Sequence, residues 1–104
     1  MKKALKKTEK KKINVNDRLV TNKDLVIREE GKEALVFDPN TGSIKVLNYV
    51  GKMVWKFIDG KCTILDIEKK LQKRFKEMKP SIIKKDLDNF LTILEGLGYV
   101  GKKI

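Results

Sequence analysis

The stretch ALVFDPNTGSIKVL, residues 34–47, decides the fold that we predict for this chain of 104 residues. Two predicted strands, 34–37 and 43–47, are joined by a segment with a proline and a glycine, residues that suit the backbone angles of a tight turn. The first is a continuous apolar run, as expected of a strand that is covered on both faces. Residues 25–29 lead into the turn Glu30–Gly31 and predict a further strand. The result is a three-stranded antiparallel β-meander with 34–37 as its central strand.

Three amphipathic helices are predicted after the meander. Apolar residues from Val50 to Ile58 recur at i, i+3, i+4, i+7 and i+8, and two similar stripes follow. Residue types typical of helix ends mark the boundaries: Asn48 and Gly60 for the first helix, Thr63 with Asp66 for the start of the second, and Pro80 and Gly98 for the third. Packing the helices on one face of the small sheet gives an α+β domain.

Composition argues against catalysis and against a membrane segment. The chain has no histidine, so it cannot form a Ser-His or Cys-His nucleophile pair, and it lacks the commonest zinc ligand. Its single cysteine, Cys62, excludes a disulfide within the chain and fits a reducing cytoplasm. No run approaches the roughly 20 apolar residues of a membrane span. We therefore expect a cytoplasmic protein that is not an enzyme and needs neither metal nor cofactor.

The net charge of +11 is concentrated at the N-terminus, where residues 1–12 hold seven lysines against Glu9 alone. A block of like charge repels itself, so we predict a disordered basic tail followed by one folded domain, residues 13–104. The alternative is that this tail acts as an electrostatic tether for an acidic peptide, an acidic partner or RNA.

The segment from Leu35 to Val100, about two-thirds of the chain, resembles the PqqD-like family, the peptide-recognition domains of ribosomal peptide natural-product biosynthesis. No single piece is specific, but the order and spacing of all of them are. The residues that carry the resemblance are Leu35-Val36-Phe37-Asp38-Pro39, Gly42, Leu47-Asn48, Val54-Trp55, Ile58-Asp59-Gly60, Thr63-Ile64, Ile67, Leu71, Asp86-Leu87, Phe90-Leu91, Leu94 and Gly98-Tyr99-Val100.

This resemblance implies a winged helix-turn-helix-like fold that binds peptide. In the family, the leader segment of a precursor peptide lies in a cleft between the third strand and the third helix. A partner enzyme, often of the radical S-adenosylmethionine type, then modifies the held precursor, and the domain itself performs no chemistry.

The residues support this mechanism independently, because the third strand of a meander is an edge that an incoming strand can extend. The predicted peptide-binding residues are Ile44, Lys45, Val46 and Leu47 of the third strand, with Lys84, Leu87, Asp88 and Leu91 of the third helix. Four of these residues have a simpler interpretation. Leu87 and Leu91 suit the core, Lys84 suits a solvated helix face, and Lys45 suits a guard against edge-to-edge aggregation.

The alternative function is nucleic-acid binding by the basic tail and the basic second helix. The third helix would then be the recognition helix. Its outward positions carry slightly more negative than positive charge, which phosphates would repel, so we favour peptide binding.

Overall fold

The computed structural model describes residues 14–103, so the predicted basic tail, residues 1–12, lies outside the described part of the chain. The elements in order are β1 (Leu19–Thr21), β2 (Val26–Glu30), β3 (Glu33–Asp38), β4 (Ser43–Leu47), α1 (Tyr49–Phe57), α2 (Ile64–Arg74), α3 (Pro80–Gly96) and β5 (Val100–Lys102). The predicted α+β class, with a three-stranded meander followed by three helices, is confirmed.

The main sheet has the order β2-β3-β4, and both of its strand pairs are antiparallel. Local chemistry fixes the β3–β4 turn. The buried Asp38 accepts the amide of Asn40 on its carboxylate at 2.9 Å and the amide of Gly42 on its carbonyl at 2.7 Å. Gly42 has a φ of 80°, which a side chain would disfavour.

Within residues 14–103, helices cover this sheet on one face only, which differs from the expectation that β3 is covered on both faces. Ala34 and Val36 are fully buried, whereas Phe37 on the opposite face is exposed. The continuous apolar run has the composition of a doubly covered strand, but all three helices pack on the same side. The open face therefore keeps exposed apolar side chains, namely Val26, Phe37, Ile44 and Val46.

The helices begin where the capping residues predict. Asn48 accepts the Gly51 amide on its side chain at 2.8 Å and starts α1. Thr63 and Asp66 form a reciprocal capping box at the start of α2, with hydrogen bonds of 2.9 and 3.1 Å. Pro80 occupies the first turn of α3, where its missing amide hydrogen costs nothing.

The C-terminus of α3 closes in a left-handed turn at Gly98. This residue has a φ of 79°, its amide donates to the Glu95 carbonyl at 3.0 Å, and the Tyr99 amide donates to the Leu94 carbonyl at 2.9 Å. This pair of hydrogen bonds is the Schellman arrangement, which satisfies carbonyls that the end of a helix leaves without partners. Helix α3 ends at Gly96, and Leu97 is its C-cap residue.

A second sheet, β1 with β5, was not predicted. In the structure Leu19 and Val100 are buried, and Leu19 pairs with Lys102 across the antiparallel ribbon. Strands of three residues are too short to show an alternating pattern of apolar and polar residues, so they could not be predicted from periodicity.

One hydrophobic core lies between the inner face of the main sheet and the helices, and β1 and β5 also contribute to it. A buried lysine, Lys52 of α1, crosses beneath the sheet. Its ammonium lies 2.9 Å from Glu29 Oε1 on β2 and donates to the Gly31 carbonyl at 2.8 Å. Helix α1 packs against β3 and β4, and this salt bridge ties it to β2 as well. Within residues 14–103, no helix is long and apolar enough to cross a membrane.

The Glu29–Lys52 pair predicts a dependence of stability on pH. The hydrogen bond from Lys52 and its charge hold the pKa of Glu29 below its ordinary value of 4.5. A carboxyl group whose pKa is lower in the folded state stabilises the fold above its unfolded pKa, and this contribution disappears as the pH falls through the folded pKa. We expect Glu29→Gln to destabilise the protein more at about pH 6 than at about pH 3 in urea unfolding. A difference in unfolding free energy that does not change with pH would contradict this.

Two neighbouring glycines provide a matched test of the α3 terminus. A methyl group at either Gly96 or Gly98 would meet no atom within 4 Å, so only backbone conformation distinguishes the two sites. Gly98→Ala should lower the unfolding free energy by about 1 kcal/mol, because alanine disfavours a positive φ. Gly96→Ala should leave stability unchanged or raise it by up to about 1 kcal/mol, because the site is helical. Equal effects in thermal unfolding would refute the assigned C-cap.

Candidate functional site

The outer edge of β4 is unpaired within residues 14–103, because β4 is the terminal strand of its sheet and pairs only with β3. An unpaired edge presents a row of amide and carbonyl groups that another strand can use. Ile44 and Val46, 62% and 57% exposed, project from the open face. Lys45 is half-buried, and its cross-strand partner is the fully buried Val36, so it shares the inner face with Leu47.

The C-terminal half of α3 runs beside this edge in the opposite direction. At one end, Ser43 Oγ lies 3.0 Å from Tyr99 OH. At the other end, a methyl group added to Gly51 would lie 3.3 Å from the ring of Phe90 and 3.5 Å from Leu47 Cβ, so strand, helix start and ring meet closely there. The space between the β4 edge and α3 is hereafter called the groove.

A cavity of about 330 Å³ opens at the Leu47 end of the groove, where α1, the end of α2 and α3 converge. Its volume is at the lower end of the range for small-ligand pockets. Most of its lining is apolar, with three polar side chains: the lining residues are Asn48, Val50, Gly51, Val54, Leu71, Phe75, Met78, Ile83, Asp86, Leu87, Asn89, Phe90 and Ile93. If another chain pairs with β4, an apolar side chain of that chain can therefore be buried in this cavity.

The structure brings only part of the predicted site to the groove. Ile44, Lys45 and Val46 lie on the free edge, and Leu87 is a core residue that also lines the cavity. Leu47 and Leu91, 2% and 1% exposed, are buried in the core, as the simpler interpretation of Leu91 had it.

Lys84 and Asp88 are not brought to the groove. They pair with each other on α3 at 3.8 Å, and both are largely exposed. At about 100° per residue, they lie on one side of the buried helical stripe, whereas Phe90 and Ile93 lie on the other side. The sequence shows which residues of a helix are apolar, but it does not show which flank meets a given strand.

The sequence analysis missed the flank of α3 that does face the groove. Phe90 is half-buried, Ile93 is 51% exposed, and Ile82 and Leu97 are exposed as well. A signal was present, because these apolar residues lie outside the stripe formed by Ile83, Leu87, Leu91 and Leu94. Helix α3 has more apolar residues than its contact with the core requires. This excess indicates a second apolar surface.

Positive charge gathers close to the cavity. Arg74 Nη2 donates to Tyr49 OH at 3.3 Å, the Lys32 ammonium lies 5.7 Å from the centre of the same ring, and Phe75 packs edge-on against it. The hydrogen bond and the charge of Arg74 lower the pKa of Tyr49. Since Phe75 lines the cavity, these cations lie near its mouth, opposed by one lining carboxylate, Asp86.

The other perturbed carboxylates of the described chain have structural partners. Backbone amides of Cys62 and Lys61 donate to Asp59, and those hydrogen bonds lower its pKa. The capping hydrogen bonds from Thr63 lower the pKa of Asp66. Within residues 14–103, no three potential metal ligands come together. The groove therefore offers backbone groups, apolar surface and positive charge, which are means of binding a chain.

Comparison with known proteins agrees with this geometry. The family model described as coenzyme PQQ synthesis protein D (PqqD) matches residues 33–100. A solved structure of TbiB1 in complex with the TbiA(beta) leader peptide has the same fold, with a TM-score of 0.72 at 16% sequence identity. The match covers 82% of this chain and 98% of TbiB1. No curated protein sequence matches. The resemblance inferred from the sequence is confirmed.

Two residues of α3 distinguish core from groove wall. Leu91→Ala should lower the unfolding free energy by about 2–5 kcal/mol, because it leaves a cavity in a closed core. Ile93→Ala, two positions away at a half-exposed site, should cost only about 0.5 kcal/mol. Urea unfolding of both variants measures this difference. Comparable losses would show that Ile93 belongs to the core and would remove it from the groove.

Proposed function

The chain belongs to the PqqD family, and we propose that it is a non-catalytic module that binds the leader segment of a ribosomal precursor peptide as an added strand on β4. The observation that carries the proposal is the free β4 edge facing the apolar flank of α3. The similarly folded TbiB1 was solved with a leader peptide bound, which supports a peptide as the occupant.

Backbone pairing and the cavity have different roles in this binding. A five-residue strand directs two or three of its residues toward the free edge, which allows roughly four to six hydrogen bonds. Each contributes only about 0.5–1.5 kcal/mol net, and docking costs translational and rotational freedom, so pairing alone binds weakly. Burying one or two apolar side chains, at about 1.5–3 kcal/mol each, adds affinity and selects the sequence. The cavity at the Leu47 end suits such an anchor.

The function of this module is then to hold the precursor while a second protein modifies it. That partner is a modifying enzyme, and the family resemblance indicates the radical S-adenosylmethionine type. Binding and modification of the precursor take place in the cytoplasm, where Cys62 remains a thiol. Binding of moderate strength suits a carrier, because the modified precursor must leave.

Nucleic-acid binding has less support. The exposed surface of α3, the helix that would enter a groove of DNA, includes apolar Ile82 and Ile93 together with Asp86 and Asp88. Carboxylates repel phosphates, and apolar side chains gain nothing from them. The exposed cations of α2 remain able to attract nucleic acid without specificity.

The test is an NMR titration with overlapping synthetic peptides that tile the N-terminal half of each short open reading frame beside this gene. We expect one peptide to bind saturably and to shift the amide signals of 43–47, Phe90 and Ile93. Amides on the free edge should exchange more slowly in the complex. Saturable binding that leaves 43–47 unchanged would reject strand addition. Duplex DNA binding with a steep salt dependence, and no peptide binding, would favour the alternative.

Proline substitution tests the backbone pairing directly. Alternate residues of an edge strand direct their amides to the neighbouring strand or to the free edge. Of Lys45→Pro and Val46→Pro, one should therefore disrupt the sheet, and the other should stay folded but lose peptide affinity. Val46→Ala, which keeps the amide hydrogen, is the matched control for the side chain. A folded proline variant at either position that binds the peptide as tightly as the original protein would refute the mechanism.

A further inference from the structure

Lys45 occupies an unusual position. It is the middle residue and the only charged residue of β4. It is half-buried and shares the inner face of the sheet with Val36 and Leu47, both of which are in the core. Among residues 14–103, none of the salt bridges and none of the side-chain hydrogen bonds involves its ammonium group.

Among residues 14–103, one other lysine has restricted exposure, Lys52, and it has partners. Lys52 also lies near the sheet. Its ammonium forms a salt bridge with Glu29 and donates a hydrogen bond to the Gly31 carbonyl. An ammonium beside an apolar surface is more stable with a counter-charge, and the cost of desolvation rises as more of it is covered. A strand added to β4 would cover Lys45 further.

The added strand also determines what Lys45 meets. In a regular antiparallel or parallel ladder, one guest residue lies beside each residue of β4, and its side chain points to the same face. The guest residue beside Lys45 therefore points toward the groove, within reach of the ammonium. We infer that Lys45 selects precursor segments with Asp or Glu at this position. This inference rests on the proposed function and adds to it the chemical class of one guest residue.

The same position disfavours pairing between two copies of the chain. A twofold antiparallel pair of β4 strands that matches all of Ser43–Leu47 brings Lys45 directly opposite its own copy. Like charges opposite each other destabilise a sheet. Registers shifted by two residues separate the lysines but leave fewer paired residues. The charge of Lys45 thus disfavours pairing between two copies of β4 and favours pairing with an acidic guest strand. The same residue would therefore prevent aggregation and contribute to recognition.

A charge-swap cycle tests the inference with the peptide found by tiling. Contacts between backbone protons in the complex identify the guest residue beside Lys45. We expect it to be Asp or Glu. Replacing it with Lys, or replacing Lys45→Glu in the protein, should each weaken binding by a few-fold to about tenfold, and the two changes together should restore most of the affinity. Raising the salt concentration should reduce these differences.

Lys85→Glu, an exposed charge on the outer side of α3, is the matched control for net charge and should not show this coupling. A neutral or basic guest residue beside Lys45, or a charge swap without coupling between the two sites, would overturn the inference while leaving peptide binding intact. If no tiled peptide shifts the signals of β4, the proposed function fails first, and this inference fails with it.

Discussion

The fold depends on an asymmetry in backbone hydrogen bonding: within residues 14–103, β3 is paired on both of its edges, and β4 on only one. Unpaired amides and carbonyls can remain only where water or another chain can reach them. This requirement keeps the outer edge of β4 at the surface. Helix α1 packs against β3 and β4, and the buried Lys52 ties it to Glu29 on β2. Helix α3 approaches β4 through Tyr99, just after its end, and through Phe90. The groove is therefore a consequence of how the helices pack on the small sheet.

The parts of the fold that the sequence predicted are those set by neighbouring residues. The β3–β4 hairpin follows from Asp38 and Gly42, whose contacts span only a few positions. The starts of α1 and α2 likewise follow from Asn48 and from Thr63 with its capping partner. These interactions form between residues three or four apart, so their chemistry can be read directly from the chain.

The parts that escaped prediction depend on distant contacts. Leu19 and Lys102 pair across almost the whole described chain, and two strands of three residues show no periodicity. The burial of Lys52 depends on its pairing with Glu29 of β2. Sequence patterns do not show that these two residues meet. At the site, the free edge followed from strand order alone. The flank of α3 that meets it did not, because the rotation of a helix about its axis is set by packing, and Lys84 and Asp88 accordingly turn away.

The β1–β5 ribbon has a consequence for how the domain can be joined to other chains. Because Leu19 lies beside Lys102, the polypeptide enters and leaves the described domain at one place. A host protein can therefore carry the whole unit as an insertion in a surface loop, or as a fusion at either end, with little strain at the junction. The peptide groove would be transplanted intact, and covalent attachment to an enzyme would replace a weak encounter by a high local concentration.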